Sequence, residues 1–195
     1  LSDYIGIPHE ASILISLSIG IFLTGALHED GVADFFDSLG GKDYSTRQKI
    51  LKDSRLGSFG VLALIIVFML KFLLLSGLDQ PLALACGLIS CLSLGRFSIL
   101  LLVNYSDLSK QAGLTKHLKK VSRKTIILCG MFSMLWVIPA GLFAMIFIII
   151  FGYASIYFFS KFVVPFNRGL SGDILGLYVV FVELSSLLIL TASFS

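Results

Sequence analysis

The sequence has 195 residues, 56% of them hydrophobic and 14% charged, with a formal net charge of +3. Soluble domains carry about 25% charged residues, so a soluble globular fold is excluded and the bilayer is the expected solvent. So small a net charge gives no reason to expect a nucleic-acid partner.

The length fits a single integral membrane domain over residues 1–195, with an all-α transmembrane bundle as its fold class. The chain opens at Leu1 without an initiator Met, and an N-terminal truncation is expected. No basic stretch precedes the first apolar run, as a cleavable signal peptide would require. Cys86, Cys91 and Cys129 all lie in apolar runs. An odd number without a CxxC pair argues for packing cysteines rather than disulfides or zinc ligands.

Six apolar stretches are expected to span: Ala11–Leu27, Gly57–Leu78, Leu82–Val103, Thr125–Ile138, Ala140–Ser160 and Ile174–Phe194. Most approach the ~20 residues that cross a bilayer as a helix. The fourth is short, and Pro139–Gly141 supplies a tight turn after it.

After the first stretch comes His28-Glu29-Asp30-Gly31-Val32-Ala33-Asp34-Phe35-Phe36-Asp37. On a helix at 100° per residue, Asp30, Asp34 and Asp37 fall within an arc of about 60°. Val32, Phe35, Phe36 and Leu39 lie opposite, ready for packing. Aligned carboxylates repel one another, and a hard divalent cation reverses that sign. Asp30, Asp34 and Asp37 are therefore the candidate Mg2+ ligands, with His28 beside them as a ligand or proton carrier. A solvated acidic face is the plainer alternative.

Next, Ser45 to Arg55 reads as an amphipathic helix opened by a Ser45/Gln48 capping box. It carries Lys52, Asp53 and Arg55 towards the aspartates. Lys52 and Arg55 suit phosphate oxygens, while Arg47 and Lys49 suit lipid headgroups. Within the spans, Lys71 can snorkel to the outer end of its helix. Arg96 can reach headgroups or the site, and Glu183 is expected to face the interior with a partner such as Arg96. The last loop, Asn167-Arg168-Gly169-Leu170-Ser171-Gly172-Asp173, allows close backbone approach to a ligand at its glycines. Asp173 is either a helix N-cap or part of the site.

Successive loops hold 5, 0, 6, 0 and 2 basic residues. That alternation is a positive-inside pattern, so the basic loops and the acidic segment are expected on the cytoplasmic side of a bacterial inner membrane.

Thr24 to Asp37 resembles the signature of the cobalamin synthase family, the adenosylcobinamide-GDP ribazoletransferases. Lys52-Asp53-Ser54-Arg55-Leu56-Gly57-Ser58-Phe59-Gly60 is similar to that family's second block, and Gly172-Asp173 with Gly176 and Glu183 to its C-terminal block. Val180 stands where the family often has an acidic residue. The resemblance implies a Mg2+-dependent phosphotransferase whose substrates are adenosylcobinamide-GDP and α-ribazole or its 5′-phosphate. It implies Mg2+ on Asp30, Asp34 and Asp37, catalytic roles for Asp34, Asp37 and Asp53, and substrate contacts from Lys52, Arg55, Arg96, Asn167, Arg168, Gly172 and Asp173. Homo-oligomerisation is left open. Two other readings stay in view: a CDP-alcohol phosphatidyltransferase, although Gly31-Val32-Ala33-Asp34 lacks that family's Arg, and a cation transporter.

Overall fold

The computed structural model describes residues 6–51, 53, 55–106, 118–166 and 168–194. Lys52 and Asn167 therefore lie outside the described residues. Among the described residues, eight helices of seven residues or more follow in order: α1 His9–Thr24, α2 Leu27–Ser38, α3 Tyr44–Ile50, α4 Ser58–Ser76, α5 Pro81–Tyr105, α6 Arg123–Leu135, α7 Gly141–Phe158 and α8 Gly172–Phe194. There is no strand among the described residues, as a bilayer demands of a segment that must satisfy its own backbone.

Four segments are long and apolar enough to cross a membrane: α4, α5, α8 and Ile138–Phe166, which runs from the turn before α7 to beyond its end. That last segment passes through a π-helical turn, Phe159–Val163. α1 and α2 make a fifth crossing only if taken together, because they are bent by 86° at the break between them. The break is local. Gly25 and Ala26 both adopt the left-handed region, with φ of 61° and 56°, which ends an α-helix and redirects the chain. α6 has 13 residues, about 20 Å of helix, and falls short of ~30 Å of hydrocarbon. The chain is a multi-spanning helix bundle.

α8 is its centre. Half of its apolar window is buried, as is half of that of α5, against 28% for α4 and for Ile138–Phe166. Leu102, Phe159, Leu170, Ile174 and Tyr178 form the core at the end where α8 begins. Ile13, Leu75, Leu78 and Leu187 form it at the far end. The large exposed apolar side chains, such as Leu62, Ile66 and Leu73 of α4, point outwards, where lipid replaces protein as their solvent.

Two helix starts differ from the sequence expectation. Asp43, not Ser45, opens α3: its carboxylate accepts the Thr46 N–H at 2.8 Å and the Ser45 hydroxyl at 2.8 Å. An ionised Asp is a stronger N-cap acceptor than a serine hydroxyl. At α8, the Ser171 hydroxyl accepts the Ile174 N–H at 3.4 Å, so Asp173 enters the first turn instead of serving as the cap. On α2, Val32 is buried as expected, but Leu39 is exposed.

Candidate active site

The site is built where α2 lies across the first turns of α4 and α8. A Cβ placed on Gly31 would stand 2.7 Å from the Asp173 carbonyl oxygen, and one on Gly176 would stand 3.0 Å from the His28 carbonyl oxygen. A Cβ at Gly31 would be closer than real side chains come, and one at Gly176 would be tight against main chain, so the backbones of α2 and α8 meet directly and the crossing favours glycine.

The crossing brings Asp173 of α8 beside Asp30 and Asp34 of α2. Asp30 is exposed, while Asp34 and Asp173 are half-buried. Burial pushes the Asp34 carboxyl up to about 6, and the charges of Asp30, Asp173 and Asp37 add to the effect. Four negative groups thus crowd one corner of the bundle. Asp173 also accepts a hydrogen bond from the Ser171 hydroxyl at 3.3 Å, which steadies the carboxylate within its turn.

Asp37 is positioned differently from its two helical companions. Its Oδ2 accepts the Gly57 N–H and its Oδ1 the Gly60 N–H, both at 2.8 Å. Those amides open α4 and have no partner inside that helix, so Asp37 caps α4 from a distance of twenty residues. The helix dipole favours a carboxylate there. The stack of three free carboxylates expected on α2 is therefore a pair, and Asp173 supplies the third group from α8.

Among the described residues, no three His, Cys, Asp or Glu side chains converge tightly enough to hold a metal ion unaided. Mg2+ asks for less, because it keeps waters and takes substrate phosphates beside one or two carboxylates. The donor set fits such an ion: it is all oxygen, and its members repel one another at the position of Asp34.

Beneath the aspartates lies a second charged group that sequence reading treated only in part. Lys71 Nζ lies 2.6 Å from Glu183 Oε2 and 3.6 Å from Glu29 Oε1, and Arg96 pairs with the other Glu183 oxygen. The expected partnership of Arg96 and Glu183 is present. Lys71 does not snorkel outwards: it is 6% exposed and points into the bundle. An ammonium at that depth gains more from two carboxylates than from a long reach to water. Gly95 leaves room for Glu183, whose Cγ would be 2.8 Å from a Cβ there. His28 lies within electrostatic reach of all four charges.

The chain's residues 1–191 match the family model described as cobalamin-5-phosphate synthase. It belongs to that family. Among curated relatives, the adenosylcobinamide-GDP ribazoletransferase of Shewanella woodyi is 34% identical over 195 residues, covering 94% of this chain and 74% of that protein. The one from Shewanella frigidimarina is 34% identical over 140 residues, covering 67% of this chain and 54% of that protein. A third, from Shewanella oneidensis, is 53% identical over 70 residues, or 35% of this chain and 27% of that protein. No solved structure matches.

Within this cobalamin-5-phosphate synthase family member, the remaining candidate residues are more dispersed. Arg55 is exposed and bound to Asp53 at 2.7 Å. Asp53 is held by Arg55, and that guanidinium keeps its carboxyl below the usual carboxylate range. A catalytic role for Asp53 gains nothing from this placement. Arg168 lies over the Tyr44 ring at 4.2 Å, and Arg47 over Phe166 at 4.1 Å. These two stacked cations tie α3 to the connection between α7 and α8. Gly172 is exposed at the start of α8. The sequence carried no signal for Glu29 beyond its charge, or for the α4 cap, because their partners lie far along the chain.

Proposed function

We propose that this chain transfers the adenosylcobinamide-phosphate moiety of adenosylcobinamide-GDP to α-ribazole or its 5′-phosphate, with release of GMP. The single observation that supports it from the geometry is the meeting of Asp30, Asp34 and Asp173 at the Gly31–Gly176 crossing. The names of the relatives support the substrates, and the carboxylates at the crossing support a metal-held phosphate there.

Asp30, Asp34 and Asp173 are the carboxylates that would hold Mg2+. Bound there, the ion would neutralise diphosphate charge and stabilise the departing GMP. The protein's own part is positioning. Asp37 pins α2 to the start of α4, and the glycine crossing pins it to α8, so the carboxylates keep a fixed spacing. Without a metal, burial and its neighbours raise the Asp34 carboxyl to about 6, and binding of Mg2+ there would favour its ionised, ligating form. Arg168 and Arg55 are the cations near enough in sequence to the site to meet phosphate oxygens. The positive-inside pattern of the loops supports a cytoplasmic position for this end of the bundle in a bacterial inner membrane, where nucleotide substrates are available.

The test is an assay on membranes carrying the protein. They receive adenosylcobinamide-GDP and α-ribazole, with and without Mg2+, and the joined cobamide and GMP are quantified. Product in equal molar amounts with GMP, dependent on Mg2+, supports the reading. If CDP-diacylglycerol and an alcohol were joined instead, the phosphatidyltransferase reading would take its place.

A further inference from the structure

A groove of about 470 Å3 is enclosed by α5, α6, α7 and α8, within the ~300–1,000 Å3 range of ligand sites. No residue of α2, α3 or α4 lines it, so it is separate from the aspartate site. It begins at Tyr105, the last residue of α5, and at Ile126 in the first turn of α6, and reaches Leu94, Met134 and Ile148. From Tyr105 to Leu94 is about 16 Å of helix, which is half of the ~30 Å hydrocarbon core. The groove is one leaflet deep.

Its lining is mostly apolar, and three of its polar side chains are turned to partners within the protein. The Ser98 hydroxyl donates to the Gly95 carbonyl, the Asn104 amide to the Leu100 carbonyl, and the Tyr178 hydroxyl pairs with Ser155. A polar ligand would have few groups left to bind, whereas a hydrocarbon chain needs none. At the open end, Arg123 and Lys124 occupy the first turn of α6, three and two residues before Ile126, with Lys119 and Lys120 just ahead of them. All four are exposed, and among the described residues none of them is in an ion pair. The start of α6 adds its own positive helix end. Among the described residues, an anion at that rim would meet cations that no carboxylate pairs.

We propose that this groove holds one acyl chain of an anionic phospholipid whose phosphate sits against Arg123 and Lys124. The chain's length matches a leaflet, and the charge of the headgroup matches the rim.

Gly152 gives a clean probe. It lines the groove, and a Cβ there meets nothing within 4 Å, so the side chain of Gly152→Leu starts in open space and extends into the groove. The protein is purified in detergent, offered phosphatidylglycerol or phosphatidylcholine of equal chain length, and examined by native mass spectrometry. Wild type should retain phosphatidylglycerol about tenfold better than phosphatidylcholine. Gly152→Leu should lose most of the bound lipid of either kind, and the Arg123→Gln, Lys124→Gln double variant should keep a lipid but lose the preference. Retention unchanged by Gly152→Leu would overturn the groove assignment, and equal retention of the two lipids by wild type would overturn the anionic one. A dimer that carries no lipid and is broken by Gly152→Leu would assign the groove to a second copy of the chain and overturn both.

Discussion

Gly31 and Asp173 touch through their backbones, with the Asp173 carbonyl oxygen 2.7 Å from where a Cβ on Gly31 would be. That contact sets the distance between the carboxylates of α2 and those of α8. Gly31→Ala must push the helices apart, because the obstacle is main chain and cannot rotate away. Overpacking of this kind costs about 1–3 kcal/mol. The expected result is a protein still inserted in the membrane, with a lowered Tm and GMP release down by at least about tenfold, as small misplacements cost a catalyst. Near-normal turnover would show that the spacing does not matter.

Asp37 and Asp34 lie on the same helix and should fail in different ways. Asp37→Ala leaves the Gly57 and Gly60 amides without their acceptor, a loss of about 1–3 kcal/mol. Asp34→Asn removes a crowded charge and should leave the stability of the metal-free protein unchanged or raised. Thermal unfolding of the two variants in the presence of a chelator separates the roles. Equal destabilisation by both would contradict them.

The raised Asp34 carboxyl predicts a pH dependence with a definite sign. Its folded-state value of about 6 exceeds the ordinary 3.8, so the folded protein holds this proton more tightly than the unfolded chain. The stabilisation is complete below pH 3.8 and is lost as pH rises through about 6. With chelator, the Tm contribution of this group therefore falls between pH 4 and 6.5, and Asp34→Asn removes that fall. Added Mg2+ should raise Tm more at pH 7.5 than at pH 5, since only the ionised group is a ligand. A Mg2+ effect independent of pH would argue against these carboxylates as its site.

The buried trio of Lys71, Glu29 and Glu183 should be sensitive to single changes and tolerant of balanced ones. Lys71→Met leaves Glu29 and Glu183 facing each other with one cation fewer, and breaking such a buried pair costs about 3–5 kcal/mol. Adding Glu29→Gln to Lys71→Met should recover a measurable part of that loss. A double-mutant cycle on urea or thermal unfolding reads the coupling, and strict additivity would mean that the charges do not interact.

Much of the bundle is legible in the sequence because hydropathy is a local property. The run from Ser58 to Ser76 announces itself, and so does the stagger of Asp30 and Asp34, four residues apart on one helix. Asp173 joins them only through a crossing of two glycines 145 positions apart along the chain, which no periodicity reports. Lys71 reads as a snorkelling cation until Glu183, 112 residues away, is placed beside it. Asp37 shares the period of Asp30 and Asp34, yet the start of α4 captures it. Periodicity gives the face of a helix, while the neighbours decide what each side chain on that face does.

The account turns on whether Asp30, Asp34 and Asp173 together hold a divalent ion. Titration of the purified protein with Mn2+ in place of Mg2+, followed by electron paramagnetic resonance in the presence of adenosylcobinamide-GDP, measures this directly. One site should fill in the wild type and weaken by at least about tenfold in Asp34→Asn and in Asp173→Asn. Unaltered Mn2+ affinity in both variants would contradict it.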